Sequence, residues 1–210
     1  MGKIVLLDDL TINQIAAGEV IERPASVVKE LVENSIDAGA TSIAVEVKNG
    51  GIKQIKIIDN GSGIAKDDVK FAFERHATSK IRTAEDLETV RSMGFRGEAL
   101  ASIAAISHVE VVTKTESDFM GSKVIVEGGE VVEQEETGAQ KGTTITVSNL
   151  FYNTPVRYKF LKKDYTELRI YRRYYNKNCF SKSRCCYSFV KWNQNPSKNK
   201  WKWRYKNSCI

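Results

Sequence analysis

Residues 24–39 read PASVVKELVENSIDAG, from Pro24 to Gly39. Pro24 suits the first turn of a helix, where its missing N–H costs nothing. Val27/Val28, Leu31/Val32 and Ser35/Ile36 recur at helical spacing and make one apolar face. Gly39 stands where a left-handed C-cap belongs. The pattern predicts a helix over 24–38. Directly after it, 41–48 alternates Ile43, Val45 and Val47 with polar residues, which is the period of a half-buried strand. Asn49-Gly50-Gly51 signals a hairpin turn, and a second strand is expected over 52–58. The apolar stripe of the helix can then bury against a sheet.

The same reading extends outward along the chain. Residues 66–77 read as helical, with Asp67 and Asp68 near the positive end. A short helix is expected over 84–91 and a small-residue helix over 97–106. Strands are expected over 108–114, 122–127, 130–135 and 143–149, and 158–163 begins another helix. The fold class is α+β, with no internal repeat and no low-complexity linker.

The chain has 210 residues and 23.6 kDa, room for one large domain or two small ones. With 41% hydrophobic and 28% charged residues, overall disorder is excluded. No apolar run approaches the ~18 residues of a membrane span. Residues 1–10 lack the basic start and apolar core of a signal peptide. A cytosolic protein with no membrane partner is expected.

The net charge of +6 is unevenly placed. Residues 1–168 hold 20 Lys/Arg against 26 Asp/Glu, a net of −6. Residues 169–210 hold 12 Lys/Arg and no acid, a net of +12. All three Trp and all four Cys lie in this tail, and all 14 Gly lie before it. A break this sharp separates two segments of different character.

Chemistry-bearing residues concentrate in three places of the body. In the helix, Glu30 and Asn34 are one turn apart and stack on one face. A carboxylate beside an amide oxygen suits a site that orients water and holds a hard cation such as Mg²⁺, although a solvated helix face looks the same. Next, Ile58-Asp59-Asn60-Gly61-Ser62-Gly63-Ile64 follows a strand. Asp59 can accept from an exocyclic amine such as that of adenine, and Gly61 and Gly63 allow close backbone approach. A plain turn has the same composition. Third, Gly94-Phe95-Arg96-Gly97 precedes a helix and can present backbone N–H groups to phosphate. Arg96 and Lys80 can add positive charge. The Walker pattern is absent, and Gly142-Thr143-Thr144 opens a further strand.

Read in order, NQIAAGEV at 13–20, RPASVVKELVENSIDAG at 23–39, DNGSGI at 59–64, RHATSKI at 75–81, GFRGEALASI at 94–103 and LFYNTPVR at 150–157 resemble the MutL family of DNA mismatch-repair ATPases. The resemblance covers residues 1–168. It implies a two-layer α/β sandwich of the GHKL (Bergerat) ATPase type, with helices on one face of a mixed, mostly antiparallel sheet. It implies that Glu30 is the general base, that Asn34 is the Mg²⁺ ligand, and that Asp59 reads adenine in a pocket shared with Ala38, Gly61, Gly63 and Thr143. Thr78, Ser79 and Lys80 then belong to a lid. Gly94, Phe95, Arg96, Gly97, Glu98, Ala99 and Leu100 belong to a phosphate loop. ATP and Mg²⁺ are the implied cofactors. DNA, the mismatch-recognition protein MutS and a second copy of the N-terminal domain in an ATP-driven homodimer are the implied partners, and residues 1–20 are candidates for an exchanged arm.

Past residue 168 the resemblance stops. The domain is expected to be incomplete at its C-terminal end. A lysine that the family supplies to the γ-phosphate from a second domain falls beyond it, so weak turnover and weak dimerisation are expected. Residues 169–210 read as an aberrant basic tail. Taking the last two bases of each codon with the first of the next, 169–187 becomes approximately GYIEDIITKIAFQNPDVAI, the helix and turn a MutL-like chain needs there. A shifted reading frame explains the tail on this codon arithmetic. The rival reading is a non-catalytic fragment whose interleaved Lys, Arg, Trp and Tyr bind nucleic acid. Cys185-Cys186 lacks metal-ligand spacing, and cytosolic thiols stay reduced.

Overall fold

Helix α1 (Asp9–Val20) opens the fold, with the Asp8 side chain accepting from the Thr11 N–H at its N-terminus at 2.7 Å. The structure, a computed structural model, describes residues 4–81, 83, 85–89, 94, 97–159, 186–192 and 202–204. The expectation of an exchanged arm over 1–20 had assigned α1 no element. Its apolar residues do not line up into one stripe, yet Ala17 and, just beyond the helix, Ile21 are fully buried. Packing against a later helix, rather than amphipathicity, holds it.

Helix α2 (Pro24–Asp37) has Pro24 in its first turn, as its sequence demands. It ends in a Schellman motif. The Gly39 N–H donates to the Ile36 carbonyl at 3.0 Å and the Ala40 N–H to the Ser35 carbonyl at 3.1 Å, with Gly39 at φ +72°. Val27, Val28, Leu31 and Val32 are buried, each stabilising by about 1.5–3 kcal/mol. Strand β1 (Ser42–Lys48) and strand β2 (Gln54–Asp59) form the expected hairpin, joined through a 3-10 turn at Asn49–Gly51.

The expected helix over 66–77 does not form as a regular element. The chain makes isolated turns and one 3-10 turn, Phe71–Phe73. Val69 and Phe73 reach the core, but Glu74 is extended at ψ 143° and His76 takes φ +65°. Two anchors one turn apart need only one turn of helix, and docking of the following loop ends it. Helix α3 (Asp86–Thr89) is the short helix expected over 84–91, and the rest of that stretch lies partly outside the described residues.

Helix α4 (Ala99–Ala105) packs under α1 and α2. Strands β3 (His108–Lys114), β4 (Gly121–Glu127), β5 (Glu130–Thr137) and β6 (Gly142–Ser148) match their sequence expectations within one or two residues. Helix α5 (Pro155–Lys159) starts earlier than expected because Pro155 opens its first turn, and residues 160–163 lie outside the described ones. Strand β7 (Cys186–Trp192) and strand β8 (Lys202–Arg204) complete the elements.

The sheet runs β5-β4-β3-β6-β2-β1-β7-β8, antiparallel throughout except for the parallel β1–β7 pair. It is mixed and mostly antiparallel, as expected. Ile43, Val45, Val47, Ile55, Ile57, Val109, Val111, Val124, Val126, Ile145 and Val147 form one fully or nearly fully buried face. The described helices α2 and α4 cover that face. Two strands lie in the tail, for which the sequence reading had named no element. Tyr187 and Phe189 stand in register with Ile43 and Val45. The charge break drew attention from a stretch whose aromatic and β-branched residues suit a strand.

Candidate functional site

The C-terminal half of α2 carries the polar edge of a cleft of about 1600 Å³. Glu30, Asn34, Asp37 and Ala38 line one wall. Lys29 Nζ lies 3.0 Å from Glu30 Oε1 and 3.2 Å from Glu33 Oε2, so it clamps the Glu30 carboxylate from the preceding position. Burial opposes the charge on Lys29. The hydrogen bonds and negative charges of Glu30 and Glu33 outweigh it, and the lysine titrates above its ordinary value.

Asp59 ends β2 on the cleft floor. Its Oδ2 accepts from Ser35 Oγ at 2.8 Å, and its Oδ1 accepts from the N–H groups of Gly61 at 2.9 Å and Thr143 at 3.3 Å. Three donors from α2, the β2 turn and β6 therefore hold the carboxylate in one orientation. Thr113 extends the network, because its Oγ1 accepts from the Ile64 N–H at 2.9 Å and lies 3.0 Å from Thr143 Oγ1. Sequence reasoning missed Thr113, whose strand position looked like ordinary core.

The glycines are explained in part by the chain itself. Gly63 sits at φ +74°, and a Cβ there would collide with the Lys114 carbonyl. The close approach at this position is made by β3. Gly63→Ala is expected to lower the melting temperature by several degrees and to weaken nucleotide binding with it, because the turn must back away from β3. Thermal melting checks this, and an unchanged melt would overturn it. Gly61 stands beside Asp59, off the cleft lining.

The two loops that close the cleft are far apart in sequence and meet in space. Gly97, at φ +64°, packs so closely on the Ala77 carbonyl that a side chain would collide with it. His76 Nδ1 lies 3.2 Å from Glu98 Oε1. The Lys80 N–H donates to Thr78 Oγ1 at 3.2 Å. Lys80 Nζ reaches across to Asp37 Oδ2 at 2.6 Å and Asn34 Oδ1 at 3.3 Å. The Gly94 N–H donates to the same Asp37 oxygen at 3.2 Å. Glu98, at the N-cap of α4, makes no side-chain cap.

Of the residues expected at the site, Glu30, Asn34, Ala38, Asp59, Gly63, Thr78, Ser79, Lys80, Gly94, Gly97, Glu98, Ala99, Leu100 and Thr143 all line this one cleft. Phe95 and Arg96 lie outside the described residues. The cleft also takes in Lys29 and Asp37, to which the sequence had assigned no role, His76, which the resemblance places in the lid 76–80, and Asp68, read only as a helix-end residue. An aspartate two residues before the helix-capping glycine was the available signal for Asp37.

Residues 21–150 match the family described as histidine kinase-, DNA gyrase B-, and HSP90-like ATPase. The chain belongs to this ATPase family. Within it, the chain is similar to the N-terminal region of MutL. It is 53% identical over 191 residues to the DNA mismatch repair protein MutL of Caldanaerobacter subterraneus subsp. tengcongensis, covering 91% of this chain and 32% of that protein. It is 58% identical over 168 residues to MutL of Bacillus anthracis, covering 80% of this chain and 27% of the relative. The chain thus spans about a third of the length of these curated relatives or less. Among solved structures it resembles the N-terminal domain of a DNA repair protein, with a TM-score of 0.75 at 31% identity over 90% of this chain and 54% of that one. It also resembles the Aquifex aeolicus MutL ATPase domain complexed with ADP, with a TM-score of 0.65 at 32% identity over 86% and 65%. The fold is therefore of the GHKL ATPase type, and membership of this family supports ATPase activity by resemblance. Among the described residues, no helix is long and apolar enough to cross a membrane.

Proposed function

We propose that this chain is the ATP-binding and ATP-hydrolysing switch domain of a cytosolic DNA mismatch-repair protein, in which Mg-ATP binding drives dimerisation and partner recruitment. The convergence of Glu30, Asn34 and Asp59 on one cleft supports this reading, because Asp59 comes from a different element than the helix pair and the three suit distinct tasks. Asp59 accepts a hydrogen bond from the adenine amine, its orientation set by Ser35, Gly61 and Thr143. Glu30 takes a proton from water as the water oxygen bonds to the γ-phosphorus and ADP departs. Lys29 holds the Glu30 carboxylate in place. Loops 76–80 and 94–100 supply Lys80 and backbone N–H groups to the phosphate charge.

The residues fit Mg²⁺. In this structure the Lys80 ammonium stands against Asn34 Oδ1 and Asp37 Oδ2, so α2 already presents oxygen donors to a cation. Asn34 would hold the ion together with the phosphates, and the ion supplies charge neutralisation on the triphosphate.

DNA, the mismatch-recognition protein MutS and a second copy of this domain are the proposed partners. Apolar side chains ahead of α1, Ile4 at 95% and Leu6 at 98% exposure, support an arm that docks on a second copy. The test combines ATP titration with light scattering on the 210-residue chain. With Mg²⁺ and a non-hydrolysable ATP analogue, the average mass is expected to rise part of the way to a dimer, and removal of residues 2–7 is expected to prevent the rise while leaving ATP binding intact. A chain that binds no ATP in the presence of Mg²⁺ overturns the reading of the site. A chain that binds ATP yet stays monomeric overturns the dimer proposal alone.

A further inference from the structure

Lys80 closes the loop 76–80, and it shares one anchoring oxygen atom with Gly94. Asp37 Oδ2 takes Lys80 Nζ at 2.6 Å and the Gly94 N–H at 3.2 Å. Lys80 also donates to Asn34 Oδ1 at 3.3 Å. The ion pair is well shielded, with 22% of the Lys80 side chain and 8% of the Asp37 side chain exposed. One ammonium therefore fills the place between the two oxygen donors of α2 and ties down the end of the loop 76–80.

We propose that Lys80 is a built-in counter-cation that guards the metal position, so that a divalent ion enters only when Lys80 leaves Asp37. This inference rests on the nucleotide-site reading above. An ammonium and a dication cannot share the Asn34 and Asp37 oxygens, since at such separations their repulsion in a shielded site is large. Occupancy by Lys80 lowers the apparent affinity for the metal by the fraction of chains in which the position is free. The displaced ammonium is released within reach of the phosphate charge that accompanies the metal. Entry of the cation and release of the loop from Asp37 are then one event, which couples the ligand to the loop without a separate sensor.

The experiment uses Mn²⁺ alone, without nucleotide, as the probe. Bound metal is read by electron paramagnetic resonance on the full chain. Lys80→Met is expected to tighten Mn²⁺ binding by about tenfold or more, and Lys80→Arg, which keeps the charge, is expected to bind as weakly as the unchanged protein. Adding Asn34→Ala to Lys80→Met should erase the gain, which locates the ion. Melting provides a second readout. Lys80→Met loses the ammonium beside shielded Asp37 and melts lower in metal-free buffer, and Mn²⁺ restores the melt in this variant far more than in the unchanged protein. Equal Mn²⁺ affinity in the unchanged protein and in Lys80→Met overturns the guard role. If ATP with Mg²⁺ still binds in that case, the nucleotide-site reading survives. Loss of ATP binding by the unchanged protein is the separate result that removes the underlying reading.

Discussion

Replacing Glu30 with alanine lowers ATP turnover by roughly 10²–10⁴-fold, the usual contribution of a positioned general base. Nucleotide affinity should stay within a few-fold of the unchanged protein. The side chain is about a quarter exposed and, among the described residues, bonds only to the neighbouring Lys29, so its removal leaves the adenine end untouched. Lys29 keeps its second partner, Glu33, at 3.2 Å, and the helix face does not collapse. Folding is expected to change little, which separates lost chemistry from lost structure. Steady-state phosphate release measures the first, and thermal melting with ATP titration measures the second. Glu30→Gln makes the control, because it preserves shape and removes basicity. Turnover within about twofold of the unchanged protein in both variants would leave water activation to another group, since no general base worth ~10² can then have been removed.

The second large effect is at Asp59. Asp59→Asn is expected to weaken ATP binding by about 100-fold, the loss of one hydrogen bond to a charged acceptor. An ionised carboxylate has about four lone-pair sites, and three are engaged by Ser35, Gly61 and Thr143. The site left over faces the cleft. In the amide, Oδ1 can keep both backbone donors, and the new NH₂ group takes the place of Oδ2. Ser35 tolerates this exchange, since its hydroxyl can turn its proton to the Leu31 carbonyl at 3.1 Å and accept from the amide instead. The fold should therefore hold, while the acceptor offered to the adenine amine becomes a donor. Inosine triphosphate, with an oxygen where adenine has its amine, supplies the discriminating comparison. The unchanged protein should prefer ATP strongly, and Asp59→Asn should lose that preference. A variant that keeps it would show that adenine is read elsewhere.

Some of this architecture is a local matter. The helix over 24–37 follows from the period of Val27, Val28, Leu31 and Val32, and its end from Gly39, because the groups that decide both are within one or two turns of each other. Strands β1 to β6 follow from alternation in the same way. The motif residues Glu30, Asn34 and Asp59 were legible because short-range spacing places Glu30 and Asn34 on one face, and because an aspartate before two glycines is a recognisable turn. The stretch 66–77 was misread for a converse reason. Its composition allows a helix, but the positions of His76 and Ala77 are taken by the loop that carries Gly97 and Glu98, some twenty residues away.

By itself, then, the sequence determined the α+β class, the strand order along the chain, the helix that carries Glu30 and Asn34 and the family to which the domain belongs. These depend on period, caps and contiguous motifs. The tertiary structure decided which polar groups hold one another. Asp59 is oriented by donors 24 and 84 residues away. Gly63 is required by a carbonyl on β3. Asp37 gathers Lys80 and Gly94 from 43 and 57 residues away. Pairing across such distances depends on how a sheet and its covering helices bring chain segments together, and no local period records it. The two strands in the basic tail are the same kind of fact, since their place beside β1 depends on an edge that exists only once the sheet has formed.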